Sequence, residues 1–225
     1  MKIGSLFVFA FLIFIASCSP ESSKEENAKS AKTEHKEKKE DRLPILGHRE
    51  LENGDTVYHT IPDFIFTNQT DALIKTEDLD GKIIIANFFF SSCPSICPIM
   101  TKQMKRLQGM LAVDSNEVVF LSHTIDPKND DVARLKAFAE HYGANEYNWH
   151  FLRGEMDYLY EIAKEGYLSS ALVDDQEPGG FLHSPYFVLV DKERRIRGMY
   201  DGTIPEEVDQ LASDFQKLKK EYASK

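Results

Sequence analysis

Blocks of hydrophobic and polar positions alternate along the chain and predict strands and helices in turn. Residues 82–90 read KIIIANFFF, a nearly continuous apolar run that is typical of a central strand buried on both faces. Residues 94–113 then carry Ile, Met and Leu at helical spacing, which predicts an amphipathic helix. A second buried strand is predicted at 117–122, where the sequence reads EVVFLS. These three segments are the expected centre of the fold.

The same alternation continues to the C-terminal end of the chain. Short strands are predicted at 61–66 and 72–74, on either side of an Asn-Gln turn. Further strands are predicted at 149–152, 186–191 and 196–200, and further helices at 130–142, 155–165 and about 205–220. Alternation of this kind predicts an α/β fold with a central mixed sheet flanked by helices on both faces.

The N-terminal residues depart from this pattern and predict an export signal. Residues 1–17 contain Lys2, an apolar run at 6–15 and small residues directly before Cys18. This is the layout of a bacterial secretory signal, and the apolar run is short for a membrane span. Residues 15–18, which read IASC, are similar to a lipobox, whose cysteine is lipidated and becomes the mature N-terminus. An uncleaved N-terminal anchor is the alternative, and both place the protein outside the cytoplasm, on the periplasmic side of a bacterial membrane.

A charged segment separates this signal from the expected domain. Residues 19–42 contain seven basic and seven acidic residues, and no aromatic or branched aliphatic residue. Such a stretch cannot bury enough surface to offset its ordering entropy, so 18–42 is predicted to be a disordered tether that begins at Cys18. A flexible coil of about 24 residues spans on the order of 25–30 Å. The remaining domain, 43–225, has 19 basic and 30 acidic residues, which argues against nucleic-acid binding.

Two of the three cysteines lie in the expected domain, within the segment SSCPSICP at 91–98. Cys93 is predicted where the buried strand ends and a helix begins, with Pro94 at the first helical position. The unpaired N–H groups and the dipole at a helix N-terminus favour a thiolate there. Cys97 is one turn further on and is expected to face the same way. This combination predicts the active-site geometry of a thioredoxin fold.

The cysteine pair is consistent with a structural disulfide, a redox dithiol or a site for a soft metal ion. A disulfide between residues four apart closes a very short loop, so it would stabilise the fold little. The Cβ atoms of helical residues four apart lie about 5–6 Å from each other, whereas a disulfide requires about 3.8 Å. Two thiolates held slightly open therefore suit a metal ion better.

His183 is the candidate for a third ligand. It follows the glycine-containing segment 174–180 and directly precedes the strand predicted at 186. In a thioredoxin fold this loop faces the N-terminus of the cysteine-bearing helix. Two thiolates and one imidazole suit copper in either oxidation state. Of the other histidines, His123 and His150 are expected to be ordinary polar residues at strand edges.

Four ordered motifs resemble those of the Sco/SenC family. Residues 93–98 (CPSICP) are similar to its Cys-Pro-x-x-Cys-Pro motif, and 122–127 (SHTIDP) resemble its Asp-Pro segment after the second central strand. Residues 182–184 (LHS) are similar to its His-Ser motif, and 198–202 (GMYDG) resemble its closing hairpin. The resemblance covers about residues 60–220.

The resemblance implies a copper-binding assembly factor for the dinuclear copper centre of cytochrome c oxidase, and not an enzyme. It implies Cys93, Cys97 and His183 as copper ligands and Asp126 as a residue that supports the ligands or contacts a partner. The implied partners are the copper-centre subunit of a terminal oxidase and thiol-disulfide reductants. The alternative is a thiol-disulfide reductase that keeps the recipient cysteines reduced, with Cys93 and Cys97 as its redox pair. Such a reductase does not need His183, so this histidine distinguishes the two functions.

Overall fold

The computed structural model describes residues 42–174, 176 and 179–224. The predicted signal, Cys18 and the tether up to residue 41 lie outside the described residues. Within the described ranges, no helix is both long enough and apolar enough to cross a membrane.

The described residues form eleven strands and four α-helices. The strands are β1 Arg49–Glu52, β2 Asp55–Tyr58, β3 Ile65–Thr67, β4 Leu73–Lys75, β5 Ile83–Phe89, β6 Val118–Thr124, β7 Trp149–Leu152, β8 Ala171–Val173, β9 Phe181–His183, β10 Tyr186–Val190 and β11 Ile196–Asp201. The helices are α1 Cys97–Met110, α2 Val132–Tyr142, α3 Met156–Glu161 and α4 Pro205–Ala223. A π-helical turn, Ile162–Gly166, continues directly from α3.

Five strands form one mixed sheet in the order β11-β10-β5-β6-β7. Strands β5, β6 and β7 are parallel, and β10 is antiparallel to both β5 and β11. Every residue of β5 and β6 is buried, which explains why β5 and the first four residues of β6 read as nearly continuous apolar runs and not as alternating ones. The predicted α/β fold with a central mixed sheet is confirmed.

Both faces of this sheet are covered. Successive strand residues point to opposite faces, so the side chains of Phe88 and Phe89 in β5 lie on opposite faces of the sheet. The ring of Phe89 lies 5.2 Å from that of Phe138 in α2, measured between centroids. The ring of Phe88 lies 5.6 Å from that of Tyr167, which follows the π-helical turn. Helical segments therefore flank both faces of the sheet, as predicted.

Both ends of α2 are capped. The Asp131 side chain caps its N-terminus by accepting a hydrogen bond from the Arg134 N–H at 2.8 Å. Gly143 ends the helix with φ +63°, a left-handed conformation that favours glycine.

Two antiparallel hairpins were not predicted. Strands β1 and β2 pair around Asn53 and Gly54, whose φ values are 53° and 91°. Nearly all of their side chains are exposed, so the period-2 apolar signal is missing. Strands β8 and β9 pair over three residues each, with Ala171 opposite His183. This second hairpin lies where a loop was expected, so that part of the prediction was wrong.

The strand predicted at 61–66 is shorter and lies later, at β3. Of the residues before β3, Ile61 and Phe64 are buried and hydrogen-bond outside any ladder, whereas Pro62 and Asp63 are exposed. The Ile61 N–H donates to the Arg194 carbonyl at 2.8 Å, and the Phe64 N–H donates to Thr76 Oγ1 at 2.6 Å. Apolar composition therefore identified a partly buried segment here, but not its secondary structure.

The position of His123 also differs from the prediction of a polar edge residue. It is fully buried in β6, the second strand of the core. Its ring lies 5.2 Å from the rings of Phe88 and Tyr167 and 5.4 Å from that of Phe66, measured between centroids. Burial lowers the pKa of His123 to about 3, so the imidazole is neutral in the folded protein.

Candidate metal centre

The two cysteines lie in the connection from β5 to α1. The helix begins at Cys97, with Pro98 in its first turn, so the prediction that Pro94 opens the helix was wrong. Cys93 lies in a turn before the helix, where its N–H donates to the Phe90 carbonyl at 3.2 Å. Cys97 therefore lies in the first turn of the helix, and Cys93 lies just before it, where the backbone N–H groups of Ser95 and Cys97 hydrogen-bond to its sulfur.

His183 reaches the same place from the β8–β9 hairpin, as the last residue of β9. Gly179 precedes β9 with φ +93°, and a Cβ at this position would lie 2.8 Å from the Phe90 ring and 3.3 Å from Pro94. Glycine is therefore required both by the backbone conformation and by close packing. The contact lays the hairpin directly on the cysteine turn.

The structure brings the three predicted ligands together. One donor atom from each of Cys93, Cys97 and His183 lies within 4.8 Å of the other two. The Sγ atom of Cys97 is 3.1 Å from Nε2 of His183. All three residues are buried, with relative exposures of 7%, 1% and 7% in that order, and both cysteines are free thiols.

The ring of His183 is oriented by a backbone contact. Its Nδ1 lies 3.1 Å from the Ser184 carbonyl oxygen. Because a carbonyl oxygen only accepts, Nδ1 is the donor in this contact, and Nε2 is the ring nitrogen that faces the sulfurs and can ligate a metal. Metal-ligating histidines are commonly held in this way, with the second ring nitrogen donating to a carbonyl or carboxylate.

The pKa values of the two thiols are shifted in opposite directions. The hydrogen bond from the Cys97 thiol lowers the pKa of Cys93, with a further contribution from His183 and against the effect of burial. The same hydrogen bond, together with burial, raises the pKa of Cys97. The pair therefore favours the state in which the shared proton lies on Cys97 and the thiolate is Cys93.

Aromatic side chains line one side of the site. The Phe90 ring lies 5.1 Å from the Phe181 ring and 6.0 Å from the His183 ring, measured between centroids. A cavity of about 190 Å³ opens beside the sulfurs, and its lining residues are Phe90, Cys93, Ser95, Ile96, Phe181, Leu182 and His183. Neither Phe90 nor Phe181 was predicted to belong to the site, and Phe90 was assigned only to the central strand at 82–90.

Asp126 lies at the end of β6 and is buried. Its carboxylate accepts a hydrogen bond from Asn129 Nδ2 at 2.8 Å, and its N–H donates to Thr124 Oγ1 at 3.0 Å. The carboxylate that binds the cysteine turn is instead that of Asp130, which accepts a hydrogen bond from the Ser91 N–H at 3.1 Å. Asp130 was not predicted from the sequence as a site residue. Its place just after a central parallel strand, at the edge where the cysteines also lie, is the signal that could have identified it.

The donor set fits a soft metal cation. Two sulfurs and one imidazole nitrogen already adjoin one another, and such ligands suit copper, among other soft metals. Binding requires both sulfurs as thiolates, so the proton held by Cys97 must leave. An oxidised pair would remove both sulfur ligands at once.

Comparison with known proteins identifies relatives of the whole domain. Residues 53–220 match the SCO1/SenC family. The structure is similar to that of a SCO1/SenC family lipoprotein from Bacillus anthracis str. Ames, with a TM-score of 0.66 and 29% identity over 72% of this chain and 95% of that one. It is also similar to BsSco, a member of the Sco family of cytochrome c oxidase assembly proteins in which a disulfide switch was identified. In that case the TM-score is 0.60, with 28% identity over 69% of this chain and 92% of that one.

A more distant likeness concerns the fold. Yeast Sco1 with copper bound superposes with a TM-score of 0.57, at 23% identity, over 70% of this chain and 89% of that one. These similarities confirm the predicted thioredoxin-like fold of the Sco type.

Proposed function

The chain belongs to the SCO1/SenC family, and on that premise we propose that it binds one copper ion through Cys93, Cys97 and His183. We propose further that it assists assembly of the dinuclear copper centre of a cytochrome c oxidase, with the copper-centre subunit as its partner. The observation that carries the proposal is the convergence of three soft donor atoms within 4.8 Å. The copper bound in yeast Sco1 supports the choice of metal.

The geometry suggests how copper is taken up and released. The Cys93 thiolate is the first ligand available, and Cys97 then loses the proton that it donates to the Cys93 sulfur. The two sulfurs belong to one turn and helix start, whereas His183 belongs to a separate hairpin. Displacing the hairpin removes the nitrogen ligand and leaves two sulfurs, so a partner's ligands can replace this chain's ligands one at a time.

We propose that Cys18 is lipidated and that 18–42 tether the domain to the periplasmic side of a bacterial membrane. The sequence IASC at 15–18 and the charged composition of the tether support this arrangement. The lipoprotein of Bacillus anthracis is a relative of the same family. A tether of this length allows the domain to reach a partner embedded in the same membrane.

The pKa of Cys93 is lowered and that of Cys97 is raised. This difference favours a second candidate function, reduction of the recipient's cysteines. The Cys93 thiolate would attack one sulfur of a recipient disulfide, forming a mixed disulfide and releasing the first recipient thiolate. Cys97 would lose its proton and attack Cys93, releasing the second recipient thiolate and leaving a Cys93–Cys97 disulfide. An external thiol-disulfide reductant would return the pair to the dithiol.

His183→Ala separates the two functions. In the first assay, a recipient copper domain with reduced cysteines is mixed with the copper-loaded full-length protein, and copper transfer is measured. In the second assay, the same domain with a disulfide is mixed with the copper-free protein, and reduction of the disulfide is measured. If copper delivery is the function, His183→Ala impairs transfer, and reduction by the wild type is slow. Rapid reduction that survives His183→Ala, with no copper transfer by the wild type, would establish the reductase function instead.

A further inference from the structure

A buried carboxylate lies beneath the cysteine turn. The side chain of Asp130 has no solvent exposure. It accepts hydrogen bonds from the N–H and the hydroxyl of Ser91, two residues before Cys93, and from Thr124 Oγ1 at 2.5 Å. One charged group therefore joins the start of the cysteine turn to the end of β6.

The positive charges around Asp130 neutralise its negative charge only in part. Arg134 is its ion partner, with Nε at 3.7 Å, but the Arg134 side chain is 48% exposed. The same Nε atom donates to Ser91 Oγ at 2.6 Å. Arg153 donates to the backbone carbonyl of Asp130 at 3.0 Å and not to its carboxylate. Burying a carboxylate carries a large desolvation cost, so its position beside a candidate metal site points to a use for the charge.

The charge of Asp130 is felt at the site. Its carboxylate binds the backbone N–H of Ser91, two residues before Cys93, so the buried charge lies at the base of the turn that carries the sulfurs. A negative charge in this position attracts a cation held between the sulfurs. Inside a protein this attraction is stronger than in water and increases with the charge of the cation. A doubly charged ion therefore gains more from Asp130 than a singly charged ion.

We propose that Asp130 is a positioning residue of the copper centre, which holds the cysteine turn through Ser91 and favours Cu(II) over Cu(I). The inference rests on the proposed copper function and adds a residue that sets the preference for oxidation state. Arg134 has the opposite effect, because its positive charge partly cancels that of Asp130.

The test is a pair of charge changes with opposite expected signs. Cu(I) and Cu(II) affinities are measured by competition with chelators on the purified, reduced full-length protein. In Asp130→Asn the ratio of Cu(II) to Cu(I) affinity falls at least tenfold. In Arg134→Gln, a change at a half-exposed residue, the ratio rises several-fold. Asp209→Asn, an exposed acid paired with Arg106, is the matched control and leaves the ratio unchanged.

The outcomes separate this inference from the function on which it rests. If the wild type binds no copper, the proposed function fails. If the wild type binds copper but Asp130→Asn lowers both affinities equally, Asp130 only maintains the structure and the proposed charge effect is overturned. If Asp130→Asn does not fold, Arg134→Gln decides, because an unchanged or lower ratio in that variant overturns the proposal.

Discussion

The fully buried His123 predicts a specific acid sensitivity of the fold. Its Nε2 lies 3.3 Å from Tyr167 Oη, and its Nδ1 has no hydrogen-bond partner among the described residues. A protonated ring would be a buried charge without an adequate acceptor, and burial accordingly lowers its pKa from 6.5 to about 3. The folded protein therefore keeps His123 neutral, whereas the unfolded chain takes up a proton below pH 6.5.

The size of the effect follows from this difference in pKa. The stability that depends on neutral His123 is fully present above pH 6.5 and is lost as the pH falls towards 3. One additional proton in the unfolded state corresponds to about 1.4 kcal/mol for each pH unit. Between pH 7 and pH 5 the free energy of unfolding should therefore fall by roughly 2 kcal/mol through this residue alone.

Denaturant unfolding of the copper-free, reduced protein at several pH values measures this loss. The comparison is with His123→Phe, which suits the aromatic cluster and cannot be protonated. Because that change removes a partner of the Tyr167 hydroxyl, both proteins are also measured with Tyr167→Phe. The wild type should lose roughly 2 kcal/mol more than His123→Phe between pH 7 and pH 5. Carboxylates with lowered pKa, such as Asp114 and Asp214, are common to both proteins and cancel in the difference. Equal pH dependence would refute the reasoning.

Three further changes test other parts of the structure. Gly179→Ala should displace the hairpin, because its Cβ would meet the Phe90 ring at 2.8 Å. Cu(II) affinity should then fall at least tenfold, while a thiol assay still counts two free thiols. Unchanged affinity would contradict the role of this contact. Arg197→Met removes a guanidinium that is 4% exposed and lies 3.0 Å from the buried carboxylate of Asp191. The free energy of unfolding, measured with denaturant, should fall by about 3 kcal/mol. A fall below about 1 kcal/mol would show that this ion pair contributes little to stability. Cys18→Ala should release the protein from membranes or leave its signal attached, and membrane partition that persists without lipid would exclude the anchor.

The sheet could be predicted from the sequence because its central strands are buried on both faces. Burial on both sides leaves a continuous apolar run, as in β5, and such a run is visible without any knowledge of its neighbours. The Asn53-Gly54 turn also carries a local signal, since Asn-Gly favours tight hairpins. The exposed side chains of β1 and β2 hid that hairpin, because nothing there is buried on one face.

The site was predictable as a set of residues, but not as a geometry. The spacing of Cys93 and Cys97 and the position of His183 before a strand were visible in the sequence. The start of α1 at Cys97 was not, because proline is allowed in the first turn and both Pro94 and Pro98 were available. The role of Gly179 depends on a contact between segments far apart in the chain, for which the sequence gives no local signal.

The measurement that tests the central claim most directly is a Cu(II) titration of the reduced full-length protein, followed by absorption and electron paramagnetic resonance. The ligand set of Cys93, Cys97 and His183 predicts one copper per protein, with thiolate-to-copper charge-transfer absorption and coupling to nitrogen. His183→Ala should lose this absorption and weaken Cu(II) binding strongly, while Cu(I) is retained better by the two thiolates. The control His141→Ala, at an exposed position near the end of α2, should behave like the wild type. A Cu(II) spectrum and affinity that are unchanged in His183→Ala would contradict the assignment of the centre.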